Sequence, residues 1–204
     1  MKTIILFLYA LTCPTIYAQN QTERVVGGGC EDCQQMMEGM PSQLSSETSI
    51  AGNNEPGERL TIQGIIYKAD AKTPAPNVVL YFYHTNNKGE YTPLEGQQHG
   101  RRHGALRGWV KTDSQGRYRF HTIRPASYPK SRAPQHIHPI IKETGIAPYW
   151  IDDYLFLDDP YLTKEAQEKN KKRGGSGIIK LQKNGKGIWE GERNIVLGLN
   201  VKGY

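Results

Sequence analysis

From residue 60 onward the chain is cut into short runs of Val, Ile, Leu, Tyr and Phe separated by Gly, Pro, Asn and Asp. Runs of that length bury their apolar side only by pairing edge to edge as strands. Residues 60–67 have strand composition with partial alternation, and a Pro-containing turn region over 70–77 separates them from a second strand at 78–84. Residues 109–112 and 117–122 flank Asp113-Ser114-Gln115-Gly116, which predicts a hairpin closed by a turn built on Asp and Gly. Further strands are expected at 136–142 and 154–157. Residues 177–182 and 188–190 flank Asn184-Gly185, a second hairpin signal, and 195–201 closes the sheet. One helix is expected: Asp159 caps it, Pro160 suits its first position, and 162–172 carries it to the Gly174-Gly175 stop. Several short strands, one short helix and long loops predict an all-β sandwich without internal repeats.

Residues 1–18 read as an export signal. Lys2 gives the positive start, 4–11 the apolar stretch, and Thr15-Ile16-Tyr17-Ala18 a cleavage site before Gln19. The stretch is too short for a transmembrane segment. A rival reading lipidates Cys13, but Thr12 before it and Pro14 after it argue against that. A polar arm over 19–58 should drape over the domain or stay mobile, and 59–204 is long enough for one domain with a real core. In an exported chain Cys30 and Cys33 read as a local disulfide; zinc would need two more soft ligands. The net charge is +6, but the basic residues are scattered or sit in two loop-like runs, Arg101-Arg102 and 169–173. Aromatic residues are not interleaved with them, which argues against a nucleic-acid partner.

The sharpest feature is His136-Ile137-His138, set between Pro134 and Pro139. In an extended segment both imidazoles leave the same face, because side chains alternate with period two. Two imidazoles on one face are half of a transition-metal site. Asp152, Asp153 and Glu143 lie nearby in sequence and would complete a two-histidine, one-carboxylate Fe(II) site. Phenols are the alternative. A free tyrosine titrates at about pH 10, so it binds metal only where the cation strongly stabilises the phenolate, as Fe(III) does. Most of the twelve tyrosines, among them Tyr81, Tyr83 and Tyr118, read as packing residues with a polar tip. His84, His99, His103 and His121 have no comparable pairing and read as surface residues or as supports behind the site.

Four pieces of the chain resemble the intradiol ring-cleavage dioxygenases, enzymes that split catechol-type rings between the two hydroxyl-bearing carbons. The first is the 78–84 strand leading through a short loop to Gly89-Glu90-Tyr91. The second runs from Thr112 through Phe120 into Thr122-Ile123-Arg124-Pro125. The third is Ala126-Ser127-Tyr128-Pro129, and the fourth Pro134-Gln135-His136-Ile137-His138. Together they cover about residues 60–160, and the tyrosine–proline element followed by His-x-His is the specific part. The resemblance implies Fe(III) as cofactor, a catechol-type small molecule and O2 as reactants, and a muconate-type product. It implies Tyr91 and His136 as equatorial ligands and Tyr128 and His138 as the axial pair, with Tyr128 leaving the metal to take a substrate proton.

Two departures bear on turnover. The family places an arginine three residues before the first histidine; here that position is Ala133, and Arg132 stands one residue earlier. A one-residue shift in an extended segment turns a side chain to the opposite face, so a catalytic Arg132 requires an irregular 131–135 loop. The family's pocket glutamine has Asp153 as its approximate counterpart. An acid beside a dianionic substrate is unfavourable, so Asp153 is expected to be protonated, hydrogen-bonded elsewhere or turned away. Arg101, Arg102 and Arg107 would favour an acidic substituent on the substrate from the loop at 96–108. Two rival readings stand beside the enzyme: a secreted transthyretin-like binding module that needs no metal, and an iron-binding homologue with little ring cleavage.

Overall fold

A computed structural model describes residues 22–30, 32–96 and 103–204. The export-signal segment, Cys13, His99, Arg101 and Arg102 lie outside the described residues. Two mixed sheets pack face to face. The first has the order β1 (Glu47–Ser49), β5 (Arg117–Ile123), β2 (Arg59–Tyr67), β11 (Trp189–Glu192) and β10 (Gln182–Lys183), with β12 (Ile195–Val196) also beside β2. The second has the order β4 (Arg107–Lys111), β3 (Val79–Tyr83), β6 (His136–Glu143), β8 (Tyr154–Phe156) and β9 (Ile178–Ile179), with β7 (Ile146–Trp150) also on β6. The all-β sandwich read from the strand pattern is therefore the observed fold.

Alternation decides which side chains meet between the sheets. Leu60, Ile62 and Ile66 of β2 and Tyr118 and Phe120 of β5 point inward, as do Leu80 and Phe82 of β3 and Ile137 and Ile141 of β6. Phe82 and Phe120 stack across the sandwich with centroids 3.9 Å apart. Phe120 is fully buried, so Phe120→Ala should cost about 3–5 kcal/mol in a denaturant melt. A cost below about 1 kcal/mol would show that the stack is not central to the core.

The turn at 113–116 forms as expected, with the Asp113 carboxylate accepting the Gln115 and Arg117 N–H groups at 2.8 Å each. Its two strands do not form a hairpin. β4 pairs with β3 and β5 pairs with β2, so the turn carries the chain from one sheet to the other. Thr112 holds the departing end: its hydroxyl donates to the Ala75 carbonyl at 2.7 Å and accepts the Val78 N–H at 2.9 Å. Crossing lets Val110 and Phe120 enter the same core from opposite sheets. The hairpin at Asn184-Gly185 does form, between β10 and β11 with Gln182 opposite Glu190, but residues 178–179 of its expected first arm pair with β8 in the other sheet.

The helix is shorter than its sequence signals. α1 (Lys164–Glu168) is capped by Thr163, whose hydroxyl accepts the Ala166 N–H at 3.2 Å, and it buries no residue that would reward extension. Asp159 caps nothing in it. Its carboxylate accepts the Tyr161 N–H at 2.8 Å and the Gln135 N–H at 2.6 Å, which ties this loop to the residue before His136. The arm over 22–58 is draped on the sandwich. Arg24 bridges to Ile146, a Cys30–Cys33 disulfide precedes a 3-10 turn (Cys33–Met37), and β1 becomes an edge strand of the first sheet. Cys33 and Met36 pack against Tyr81 and Ile140 on the outer face of the second sheet. Among the described residues, no helix is long and apolar enough to cross a membrane.

Candidate metal centre

β6 supplies both imidazoles. Ile137 points into the core, so His136 and His138 share the outer face, their ring centroids 4.5 Å apart. The partner of each Nδ1 fixes each tautomer. His136 Nδ1 lies 2.6 Å from the Pro134 carbonyl, which can only accept, so Nδ1 carries the proton and Nε2 the lone pair. His138 Nδ1 lies 2.9 Å from Asp153 Oδ1 and donates to it, which again leaves Nε2 as the electron-pair donor. Burial, with His138 beside it, lowers the His136 pKa and favours the neutral ring.

The tyrosines arrive from loops. The Tyr128 hydroxyl lies 3.0 Å from His136 Nε2 and 3.0 Å from the Tyr91 hydroxyl. Because Nε2 of the neutral ring accepts, Tyr128 donates to it, and Tyr91 then donates to Tyr128. Burial and the contact with Tyr128 push the Tyr91 phenol far above its ordinary range, so it ionises only against a strong positive charge. The structure thus brings Tyr91, Tyr128, His136 and His138 to one place.

The loops are held to each other by groups that the sequence did not mark as functional. Asn86 Oδ1 accepts the Lys88 and Glu90 N–H groups at 2.9 and 3.1 Å, which curls the chain just before Tyr91. The Asn86 carbonyl accepts the Ala126 N–H at 3.1 Å, and the Thr85 hydroxyl donates to the Ala126 carbonyl at 2.7 Å. Gly89, at φ 79°, lies so close to Ser127 that a Cβ would overlap the Ser127 carbonyl oxygen. Tyr83 stacks on His138 at 4.7 Å and on His103 at 3.8 Å, walling one side of the centre. His84 and His103 are both buried, not surface residues. His84 Nδ1 donates to the Thr85 carbonyl at 2.7 Å, its Nε2 accepts from the Thr122 hydroxyl at 2.7 Å, and burial lowers its pKa to about 4. Its parity with Leu80 and Phe82 on the inward side of β3 was the available signal.

The carboxylates divide. Glu143 accepts from the Tyr149 and Tyr204 hydroxyls at 2.7 and 3.0 Å, which occupies it away from the imidazoles. Asp153 is the one grouped with His136 and His138, with ligand-capable atoms within 4.8 Å of one another. Burial works to raise the Asp153 pKa, but the electrostatic attraction and hydrogen bond of His138 outweigh it and hold the carboxyl below its usual range. Arg132 is exposed on the turn after Tyr128. Arg107 is buried rather than free for a ligand, 3.8 Å from Glu38 and over the Trp109 ring.

Comparison with known proteins places the fold and the family. The chain is 27% identical over 179 residues to a catechol 1,2-dioxygenase of Acinetobacter baylyi, covering 74% of this chain and 55% of that protein. It is 33% identical over 124 residues to a protocatechuate 3,4-dioxygenase beta chain of Burkholderia cepacia, covering 54% of this chain and 50% of that one. The chain spans about half the length of the curated relatives it matches. The fold is shared with 3-chlorocatechol 1,2-dioxygenase of Rhodococcus opacus 1CP, with a TM-score of 0.60 at 19% identity over 87% of this chain and 73% of that one. It is also shared with the dioxygenase domain of a carbohydrate-binding fusion protein from Streptomyces sp. SirexAA-E, with a TM-score of 0.57 at 23% identity over 79% of this chain and 94% of that one. A family model described as Dioxygenase matches residues 34–173, more than half of the sequence and every residue of the tyrosine–histidine cluster, and the chain belongs to the intradiol ring-cleavage dioxygenase family.

Proposed function

We propose that Tyr91, Tyr128, His136 and His138 hold a ferric ion and that the protein cleaves a catechol-type ring with O2 to a muconate-type diacid. The observation that carries this reading is the unbroken contact from Tyr91 through Tyr128 to His136, with His138 against His136. The donor set fits the ion. Two partly buried phenols stand beside two imidazoles, the Tyr91 phenol ionises only against a strong positive charge, and ferric iron prefers anionic oxygen. Ferric iron, when bound, supplies the Lewis acidity that holds a catechol as its dianion and leaves the ring electron-rich toward O2.

The remaining work belongs to the chain. The Pro134 carbonyl and Asp153 each hold an imidazole by its Nδ1, leaving Nε2 as the electron-pair donor on both rings. Tyr128, in contact with both Tyr91 and His136, takes a proton from the incoming catechol. The Tyr83 ring, stacked on His138, excludes water from one side. Arg132 stabilises anionic substrate only by turning its exposed side chain inward, and Ala133 gives no help. That exposure is the observation favouring the second reading, an iron-binding homologue with little ring cleavage. The export reading of residues 1–18 is also proposed, and the Cys30–Cys33 disulfide supports an oxidising compartment.

A visible spectrum with metal analysis, taken before and after adding catechol under nitrogen, tests the centre. The expected result is one iron per chain and a phenolate-to-iron absorption band that changes when catechol binds. A pure protein that stays colourless and iron-free after ferric loading would refute the proposal. Oxygen uptake without reductant on catechol, protocatechuate and hydroxyquinol then separates an enzyme, consuming one O2 per ring opened, from a binding homologue.

A further inference from the structure

Asp153 is built into the centre more firmly than a chance acid. Its backbone stands where Gly177 packs so closely that a Cβ there would overlap the Asp153 carbonyl oxygen, and the Leu155 N–H donates to the Gly177 carbonyl at 2.9 Å. The preceding carbonyl, of Asp152, accepts from the buried Arg193 guanidinium at 2.6 Å, and the Asp152 N–H donates to the Arg173 carbonyl at 3.2 Å. The carboxylate so fixed lies 2.9 Å from His138 Nδ1. The two imidazoles therefore differ: His136 donates to a neutral carbonyl, whereas His138 donates to an acid.

Proximity alone would allow Asp153 to act as a ligand with His136 and His138. The direction of its hydrogen bond argues otherwise. On an imidazole, Nδ1–H and the Nε2 lone pair point to opposite sides of the ring. An oxygen accepting from Nδ1 therefore stands behind the ring from anything bound at Nε2.

We infer that Asp153 is a positioning residue for His138 and supplies a third negative charge, beside the two phenolates, that biases the centre toward a trivalent over a divalent cation. This rests on the metal reading above. The carboxylate locks the tautomer and orientation of the ring and strengthens Nε2 as a donor. A further negative charge beside the ion stabilises a trivalent cation more than a divalent one.

The test uses the intact protein, Asp153→Asn and Asp153→Ala. Asn keeps an acceptor oxygen of the same shape and removes only the charge. Ferric affinity is measured by chelator competition, zinc affinity in the same way, and the ease of reducing bound iron with mediators of graded potential. In Asp153→Asn, ferric affinity should fall about 10–100-fold, zinc affinity should change much less, and the iron should reduce with a weaker reductant. Asp153→Ala should lose more ferric affinity than Asp153→Asn; melts of both metal-free variants exclude misfolding. Equal ferric affinity and reducibility in Asp153→Asn and the unaltered protein overturns the inference, and so does a parallel loss of iron and zinc. Those results leave the phenolate band of the unaltered protein intact; a missing band there sinks the metal reading and this inference together.

Discussion

Tyr128→Phe is expected to lower turnover by about 10²–10⁴-fold, the range ordinarily lost when a positioned proton-transfer group is removed. Tyr128 is the middle of the contact chain, 3.0 Å from the Tyr91 hydroxyl on one side and 3.0 Å from His136 Nε2 on the other. Removing the oxygen takes away one anionic donor and the acceptor for a catechol proton, while the ring still fills its space. The visible band should weaken but persist, because Tyr91 keeps its phenol. Iron content, the spectrum and single-turnover oxygen consumption check this together. Full activity in the variant would remove Tyr128 from the proton path, and an unchanged spectrum would remove it from the metal.

Gly89→Ala should damage the centre without touching any proposed ligand. The residue sits at φ 79°, where an L side chain is strained by about 1 kcal/mol. Its Cβ would also overlap the Ser127 carbonyl oxygen and meet Pro129 Cδ at 3.1 Å. Ser127 and Pro129 flank Tyr128, and the turn closed by Asn86 leads into Tyr91. Relieving the overlap therefore separates the two phenols. A destabilisation of about 1–3 kcal/mol is expected, together with at least a tenfold weaker ferric affinity. Gly145→Ala is the control: φ is 75° there, but a Cβ would meet nothing within 4 Å. Equal iron affinities in the two variants would show that the Gly89–Ser127 contact does not set the spacing of the tyrosines.

The sequence by itself determined what depends on near neighbours. Period-two alternation placed His136 and His138 on one face with Ile137 inward, and the Asp113 and Asn184 turns were written in Asp, Asn and Gly. The strands at 60–67, 78–84 and 136–142 were legible for the same reason. Only the tertiary structure decided which strand pairs with which. The turn at 113–116 reads as a hairpin because its local chemistry is that of one. Burying Val110 and Phe120 from opposite sheets overrides that reading. The helix after Asp159 stops early because it has no apolar face to bury. Tyr91 meets Tyr128 across 37 residues, and His138 meets Asp153 across 15, through loop contacts made by Asn86, Gly89 and Gly177 that carry no periodic signal. Local backbone geometry can be read from adjacent residues, whereas a site assembled from loops is fixed by packing between segments that the chain keeps far apart.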